Sequence, residues 1–135
     1  KGGQYFFFKN KKKLFKVQKI MSTSKLKKLI ESTLDANKAE EIISINLKGK
    51  SYIADYMIIA SGTSSRHIQS LSEILLSALE KKGVGKFKIE GRTSDGWKLI
   101  DAIDIIIHIF HPEKRKFYDL EKMWSEPLIN ERINL

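Results

Sequence analysis

The segment "SGTSSRH", residues 61–67, contains residue types that can hold a phosphate, because small residues between a strand and a helix let backbone N–H groups approach an anion. A nucleotidyl-transfer enzyme with such a turn also needs adjacent carboxylates for Mg²⁺, and the candidates are Asp101 and Asp104. Because Asp101 and Asp104 are three residues apart, their carboxylates would point to opposite faces of an extended strand and could not share a metal ion. The phosphate-loop patterns GxGxxG and GxxxxGK[ST] are both missing from the sequence. We therefore favour a helix cap, with Thr63 or Ser64 as the capping residue.

The histidines and the lack of cysteine also argue against catalysis. His108 and His111 are three residues apart at the end of an apolar segment, without a third residue at a metal-ligand spacing nearby. His67 lies in the first turn of a predicted helix, where we interpret it as polar surface. The chain has no cysteine, which excludes thiolate metal sites, disulfides and a cysteine nucleophile. The sequence therefore predicts a protein that is not an enzyme and uses no cofactor or metal.

Hydrophobic periodicity predicts the elements that precede the "SGTSSRH" segment. An amphipathic helix runs from Ser24 to near Asn37, with leucine and isoleucine residues on one face. The alternating segment "EIISINL" predicts a half-buried strand, and a short lysine–glycine turn leads to a second strand over "SYIADYMIIA". These two strands should form an antiparallel hairpin.

After Gly62 the hydrophobic residues again recur with the period of a helix, which should end at Gly83, directly after two lysines. Three short strands follow, over "KFKIEG", "WKLIDA" and "DIIIHIF", and the last is nearly continuous in apolar residues, as expected for a central strand covered on both faces. Pro112 suits the first turn of a final helix. The order α–β–β–α–β–β–β–α predicts an α/β fold with a mixed five-stranded sheet flanked by helices.

The net charge of +9 on 135 residues originates at the N-terminus. Residues 1–30 carry ten lysines and no acid, whereas the rest of the chain has fifteen basic and sixteen acidic residues. We expect residues 1–20 to be a non-native or disordered basic leader, with Met21 as the native first residue. Residues 21–125 should form the domain, and residues 126–135 a C-terminal tail. A transit peptide and an RNA-binding arm are the alternatives for the leader.

The hydropathy pattern argues against a membrane protein. The longest apolar run, "AIDIIIHIF", is interrupted by Asp104 and His108 and is far shorter than the roughly 20 residues that span a bilayer. We therefore expect a cytoplasmic protein without a membrane partner. If residues 1–20 are a genuine presequence, the organelle matrix is the expected location instead.

Aromatic residues in the last third of the chain indicate protein binding. Trp97 opens a predicted strand, a position that is often exposed at the rim of a sheet; packing in the core is the alternative. Tyr118 lies one residue off the apolar face of the final helix, beside Asp119 and Glu121. A tryptophan near a helix that presents tyrosine and acids has the composition of a protein-binding patch. A solvated helix face would have the same helix composition.

Two blocks of the sequence, "DYMIIASGTSSRHIQSL" and "EGRTSDGWKLIDAIDIIIHIFHPEKRKFYDLEKMW", strongly resemble the ribosomal silencing factor family, also called the Iojap family. The resemblance runs from about Ser24 to Trp124. The "GTSSRH" block, the strand that Trp97 opens and the "FYDLEK" helix occur in the family order and at the family spacing.

The resemblance implies a nucleotidyltransferase-like fold without the catalytic carboxylates. It also implies a translational repressor that docks on the large ribosomal subunit through that subunit's fourteenth protein. The docked protein would block joining of the small subunit and lower translation when nutrients are scarce, whereas organelle members serve subunit assembly. The docking residues that the resemblance implies in this chain are Trp97, Leu99, Ile100, Tyr118, Asp119 and Glu121.

Two other classes of function stay open on sequence grounds. One is a nucleotidyl- or phosphoryl-transfer enzyme that uses "GTSSRH" with Asp101 and Asp104. The other is an RNA-binding module led by the basic N-terminus. The oligomeric state is open as well, with a homodimer as one alternative.

Overall fold

The helices and strands follow in the order that the periodicity predicts, and they confirm an α/β fold with a mixed five-stranded sheet flanked by helices. The computed structural model describes residues 21–92 and 95–118. Within those residues, no helix is long and apolar enough to cross a membrane. The elements are α1 (Thr23–Ala36), β1 (Glu40–Asn46), β2 (Tyr56–Ser61), α2 (Ser65–Lys81), β3 (Ile89–Glu90), β4 (Trp97–Ala102), β5 (Ile105–Phe110) and α3 (Pro112–Tyr118).

The strands lie in the order β1-β2-β5-β4-β3. β2 and β5 are parallel neighbours at the centre, and the other neighbouring pairs are antiparallel. A parallel pair cannot be joined by a tight turn, so the chain crosses one face of the sheet between these strands, and α2 lies in that crossover. The central position of β5 explains its apolar sequence, because all but one of its six residues are buried.

The helices α1 and α2 cover one face of the sheet, which we call the helix face. Each helix contributes an apolar stripe at the spacing of one helical face. On the opposite face, which we call the second face, a smaller cluster forms around Met57, Ile59 and Phe110, with Trp97 packed against it. The core under the helices contains, among others, Leu26, Ile30, Leu34, Ile58, Ile68, Leu71, Leu75, Ile100, Ile107 and Ile109.

The predicted antiparallel hairpin of β1 and β2 is confirmed, but its second strand begins at Tyr56 rather than at Ser51. The chain before Tyr56 turns on itself, because the backbone N–H of Ser51 donates to the carbonyl oxygen of Leu47 at 3.0 Å. Tyr52 and Ile53 lie on this connection and are exposed. Alternation alone did not distinguish an apolar residue on a connection from one that lines the core.

Candidate functional site

The "SGTSSRH" segment forms the turn from β2 into α2, and Ser64 caps the helix. Ser64 Oγ accepts a hydrogen bond from the backbone N–H of His67 at 3.1 Å, and the Ser64 backbone is extended at φ −155° and ψ 167°. Gly62 allows close packing, because a Cβ there would lie 2.7 Å from Ile68 Cγ1 and 3.2 Å from the Ile68 backbone nitrogen. The cap interpretation is confirmed, with Ser64 rather than Thr63 as the capping residue.

His67 is more than the polar surface residue that its position in the sequence suggests. Its Nδ1 accepts a hydrogen bond from the backbone N–H of Thr63 at 3.0 Å, so the neutral ring carries its proton on Nε2. That nitrogen lies 2.9 Å from the carbonyl oxygen of Asn37, the C-cap residue of α1. One half-buried imidazole therefore connects the end of α1 to the start of α2. Both ring nitrogens are used by the fold.

Replacing Ser64 by alanine is expected to lower the free energy of unfolding by about 1 kcal/mol, because the N–H of His67 loses its acceptor. Ser65→Ala is the matched control, since Ser65 is also an exposed serine but follows the cap position. Urea denaturation of the two variants measures the difference. Equal unfolding free energies for Ser64→Ala and Ser65→Ala would contradict the capping role.

Asp101 and Asp104 are not placed along one strand, and this corrects the geometry assumed from the sequence. Asp101 belongs to β4, whereas Asp104 lies in the turn to β5, after Ile103 with a φ of 69°. Asp101 Oδ1 accepts a hydrogen bond from the Ile103 backbone N–H at 3.1 Å, and Asp104 Oδ2 accepts one from the Thr23 hydroxyl at 3.4 Å. In the part of the chain that the structure describes, no three His, Asp or Glu side chains are grouped to hold a metal ion.

Trp97 opens β4 on the second face, where it is half-buried. Its indole lies nearly parallel to the rings of His108 and Phe110, with centroid distances of 5.8 and 5.7 Å and interplanar angles of 6°. The indole Nε1–H donates to His108 Nδ1 at 3.0 Å. We call Trp97, His108 and Phe110 the aromatic cluster. Trp97 therefore combines the two alternatives that the sequence left open, since the cluster orients its ring while part of the side chain remains at the surface.

Burial keeps the imidazole of His108 neutral. His108 is 6% exposed, and desolvation lowers its pKa from 6.5 to about 4. Because Nδ1 accepts the indole hydrogen bond, the neutral ring carries its proton on Nε2. A charged imidazole would direct a second N–H at the indole N–H. The neutral form is therefore the one that holds Trp97 in place.

Leu99 and Ile100 lie on opposite faces of the sheet. Leu99 is half-buried on the second face, directly opposite His108 in the β4–β5 pairing. Ile100 is 0% exposed and packs in the core under the helices. Its side chain cannot reach a partner unless the sheet and helices separate. The structure thus removes Ile100 from the candidate surface and leaves Trp97 and Leu99 there.

The start of α3 is attached to the sheet beside Trp97. The backbone N–H of His111 donates to the Gly96 carbonyl oxygen at 2.8 Å. Arg115, which is 5% exposed, donates from Nη1 to Ser61 Oγ at 2.9 Å. The first contact brings the start of α3 to the beginning of β4, and the second holds α3 on the end of β2.

The remaining predicted site residues lie at or beyond the end of α3. Tyr118 is the last residue of α3, while Asp119 and Glu121 lie outside the described residues. The predicted leader over residues 1–20 and the tail over residues 126–135 lie outside them as well.

The sequence patterns did not predict the contacts of His108 and Phe110 with Trp97 or the contact of Arg115 with Ser61, although His108 was considered as a metal ligand. A signal existed for the first two, because residues 108 and 110 alternate onto the same face of an apolar strand. Their contact with Trp97 depends on the register of β4 and β5, in which Trp97 lies opposite Phe110. No local pattern indicates that Arg115 reaches Ser61, which is 54 residues away in the chain.

Comparisons with known proteins agree with this architecture. Residues 20–134 match the family described as "Ribosomal silencing factor during starvation". A ribosomal silencing factor of Zymomonas mobilis is 49% identical over 100 residues, which cover 74% of this chain and 75% of that protein. A mouse protein named "Mitochondrial assembly of ribosomal large subunit protein 1" is 33% identical over 100 residues, which cover 72% of this chain and 44% of that protein.

The fold also agrees with a solved structure. A crystal structure of a protein from Chromobacterium violaceum has a TM-score of 0.73 to this chain at 30% identity, covering 79% of this chain and 91% of that one. The family match extends ten residues beyond Trp124, where the motifs of the sequence end. The length of this match and the sequence identity to its relatives show that the chain belongs to the ribosomal silencing factor family.

Proposed function

We propose that this chain is a translational repressor that binds the large ribosomal subunit and, while bound, keeps the small subunit from joining it. The observation that carries the proposal is the half-buried Trp97, which hydrogen bonding and stacking hold in the aromatic cluster. The chain in which this tryptophan occurs belongs to the ribosomal silencing factor family. A large side chain whose orientation is already set loses little conformational entropy when it enters a partner's pocket. Tryptophans of this kind dominate the binding energy of many protein interfaces.

The partner that we propose is the fourteenth protein of the large subunit, as the family resemblance implies. The name of the mouse relative refers to assembly of the ribosomal large subunit, which supports the choice of subunit. In this proposal Trp97 and Leu99 form the centre of the contact, and Tyr118, Asp119 and Glu121 extend it along the final helix. Acids that face a basic ribosomal protein contribute more to orientation and association rate than to affinity.

To block subunit joining in this way, the protein needs only to occupy its site on the large subunit, and no chemical reaction is required. A domain of about 100 residues has a radius of gyration of about 13 Å, far more than the gap between two surfaces in contact. We therefore propose that the chain is not an enzyme and that its effect depends on its affinity and concentration. It would act where its ribosomes are, which is the cytoplasm or, for an organellar protein, the matrix.

Mixing purified subunits with this protein tests the proposal. In excess over the large subunit, the full chain is expected to slow and reduce subunit joining, followed as the rise in light scattering. The expected reason is that each occupied large subunit is unavailable to the small one.

The matched control for the joining experiment is Tyr52→Ala, because Tyr52 is an aromatic residue that is fully exposed on the connection between β1 and β2. This variant is expected to inhibit joining as well as the unmodified chain does. Undiminished joining in the presence of a large excess of the unmodified protein would refute the proposed function.

A further inference from the structure

Arg115 is a charged side chain that the fold buries at the end of the sheet. It lies in α3 and is 5% exposed, and its Nη1 donates to Ser61 Oγ at 2.9 Å. Ser61 is the last residue of β2 and is 0% exposed. Because removing a guanidinium from water is costly, hydrogen bonds and an opposite charge must compensate for its burial. A buried arginine of this kind therefore indicates a role that an apolar side chain would not fill.

An opposite charge comes from Glu41, whose backbone is in a conformation that is unfavourable for a glutamate. Glu41 Oε1 lies 3.9 Å from Arg115 Nη1, although 74% of the glutamate side chain is exposed. Glu41 lies in the bulge of β1, between Glu40 and Ile43, and has a φ of 49°. Glycine is the favoured residue at positive φ in a bulge, because a Cβ is strained there. The strained glutamate thus lies where its carboxylate meets the buried arginine.

α3 is attached to the rest of the domain at two points about one helical turn apart. Its start is fixed to β4, because the His111 N–H donates to the Gly96 carbonyl oxygen at 2.8 Å. A Cβ at Gly96 would lie 3.2 Å from Lys114 Cγ, so the first turn of the helix packs closely there. One attachment leaves a helix free to pivot, and the second, through Arg115, fixes its direction. A helix of seven residues is not stable alone, so such contacts determine where α3 lies.

We propose that Arg115 is the positioning residue for the final helix in the ribosomal contact, and that Glu41 supports it by supplying the opposite charge. The inference rests on the proposed function, in which Tyr118 and the residues after it extend the contact that Trp97 begins. Tyr118 follows Arg115 by three residues, which is about one turn of helix. The direction that Arg115 gives to α3 therefore determines where Tyr118 lies relative to Trp97. Arg115 itself is buried and does not touch the partner.

A helix that is already in position raises affinity, because binding does not have to order it. If a variant holds α3 in the binding position in only about a tenth of its molecules, its apparent affinity falls about tenfold. Arg115 makes the direct attachment to β2, so we expect an effect of this size when it is replaced. Glu41 supplies only a charge, and the hydrogen bond to Ser61 remains without it, so its loss is expected to weaken binding about threefold.

Co-sedimentation of the full chain with isolated large subunits, at a series of protein concentrations, tests the role of Arg115. Arg115→Met is expected to bind about tenfold more weakly, because methionine fills the buried position but donates no hydrogen bond to Ser61. Lys116→Met is the matched control, since it removes one positive charge from an exposed position of the same helix. This control is expected to bind as tightly as the unmodified chain.

Glu41→Gly separates positioning from stability. Glycine adopts the positive φ without strain, so the thermal midpoint of this variant is expected to be no lower than that of the unmodified chain. Its binding to large subunits should nevertheless be about threefold weaker. Lys38→Gly is the matched control, because Lys38 is also exposed and has a φ of 66°, but it lies between α1 and β1. Lys38→Gly is expected to bind like the unmodified chain.

Hydrogen exchange of the free chain gives a readout that needs no ribosome. The amides in the last turn of α3 should be less protected in Arg115→Met than in Lys116→Met, with equal protection in α2. Equal protection in α3, or equal large-subunit binding by these two variants, would overturn the positioning role. If Arg115→Met does not fold, equal binding by Glu41→Gly and Lys38→Gly would overturn it. An unmodified chain that does not bind large subunits would instead refute the proposed function, and the exchange rates would show separately whether Arg115 fixes α3.

Discussion

Trp97→Ala is expected to abolish co-sedimentation of this chain with isolated large ribosomal subunits. The indole is the large, pre-oriented side chain of the candidate surface, and loss of such an anchor costs at least about 2 kcal/mol of binding free energy, roughly thirtyfold in affinity. At protein concentrations near the dissociation constant of the unmodified chain, that change leaves almost no protein in the ribosomal pellet.

The variant must also be shown to remain folded, because Trp97 packs on Phe110 and donates to His108. Its thermal unfolding should remain cooperative at a lowered midpoint, since a half-buried residue at the start of a strand contributes only part of the core. Tyr52→Ala serves again as the control that removes an exposed aromatic ring elsewhere. Full co-sedimentation of a folded Trp97→Ala variant would exclude Trp97 as the anchor.

The second large effect is a loss of folded stability as the pH falls from about 6.5 to about 4. In the folded chain the pKa of His108 is lowered from 6.5 to about 4, because the ring is buried. Between these values the unfolded chain binds a proton that the folded chain does not, so lower pH favours unfolding. The contribution is complete above pH 6.5, and a shift of this size corresponds to about 3 kcal/mol lost by pH 4.

Urea denaturation at a series of pH values between 7 and 4 measures this loss. His108→Asn is the matched control, because an asparagine oxygen can accept the indole hydrogen bond in place of Nδ1 but does not titrate. Carboxylates also destabilise the fold at low pH, and they do so in both proteins, so the difference between the two curves isolates His108. Curves that stay parallel over the whole range would show that the histidine does not titrate between these values.

Local patterns in the sequence were sufficient for most of the fold. The helix that ends at Asn37, the turn at Gly62 and the helix that starts at Pro112 follow from periodicity and capping chemistry, which depend on residues a few positions apart. The late start of β2 was not predictable in this way. Tyr52 and Ile53 continue the apolar character of the strand, but the chain before them turns where the N–H groups of Lys50 and Ser51 donate to the Leu47 carbonyl oxygen.

Local sequence patterns were not sufficient to predict which residues form the candidate surface. Alternation along a strand already requires that Leu99 and Ile100 point to opposite faces. It does not say which face the helices cover, because that depends on how α1 and α2 cross the sheet. The structure places the helices over Ile100 and leaves Leu99 beside Trp97.

The sequence by itself determined the order of the elements, the cap region before α2 and, through its motifs, the resemblance to a family. Each of these depends on residues that are close together in the chain or on their order along it. Only the tertiary structure decided that His108 orients Trp97, that His67 connects two helices and that Ile100 is buried. The first two outcomes depend on strand register and on contacts between residues that are 11 and 30 positions apart in the chain. The third depends on which face of the sheet the helices cover. No short segment of the sequence encodes these relations.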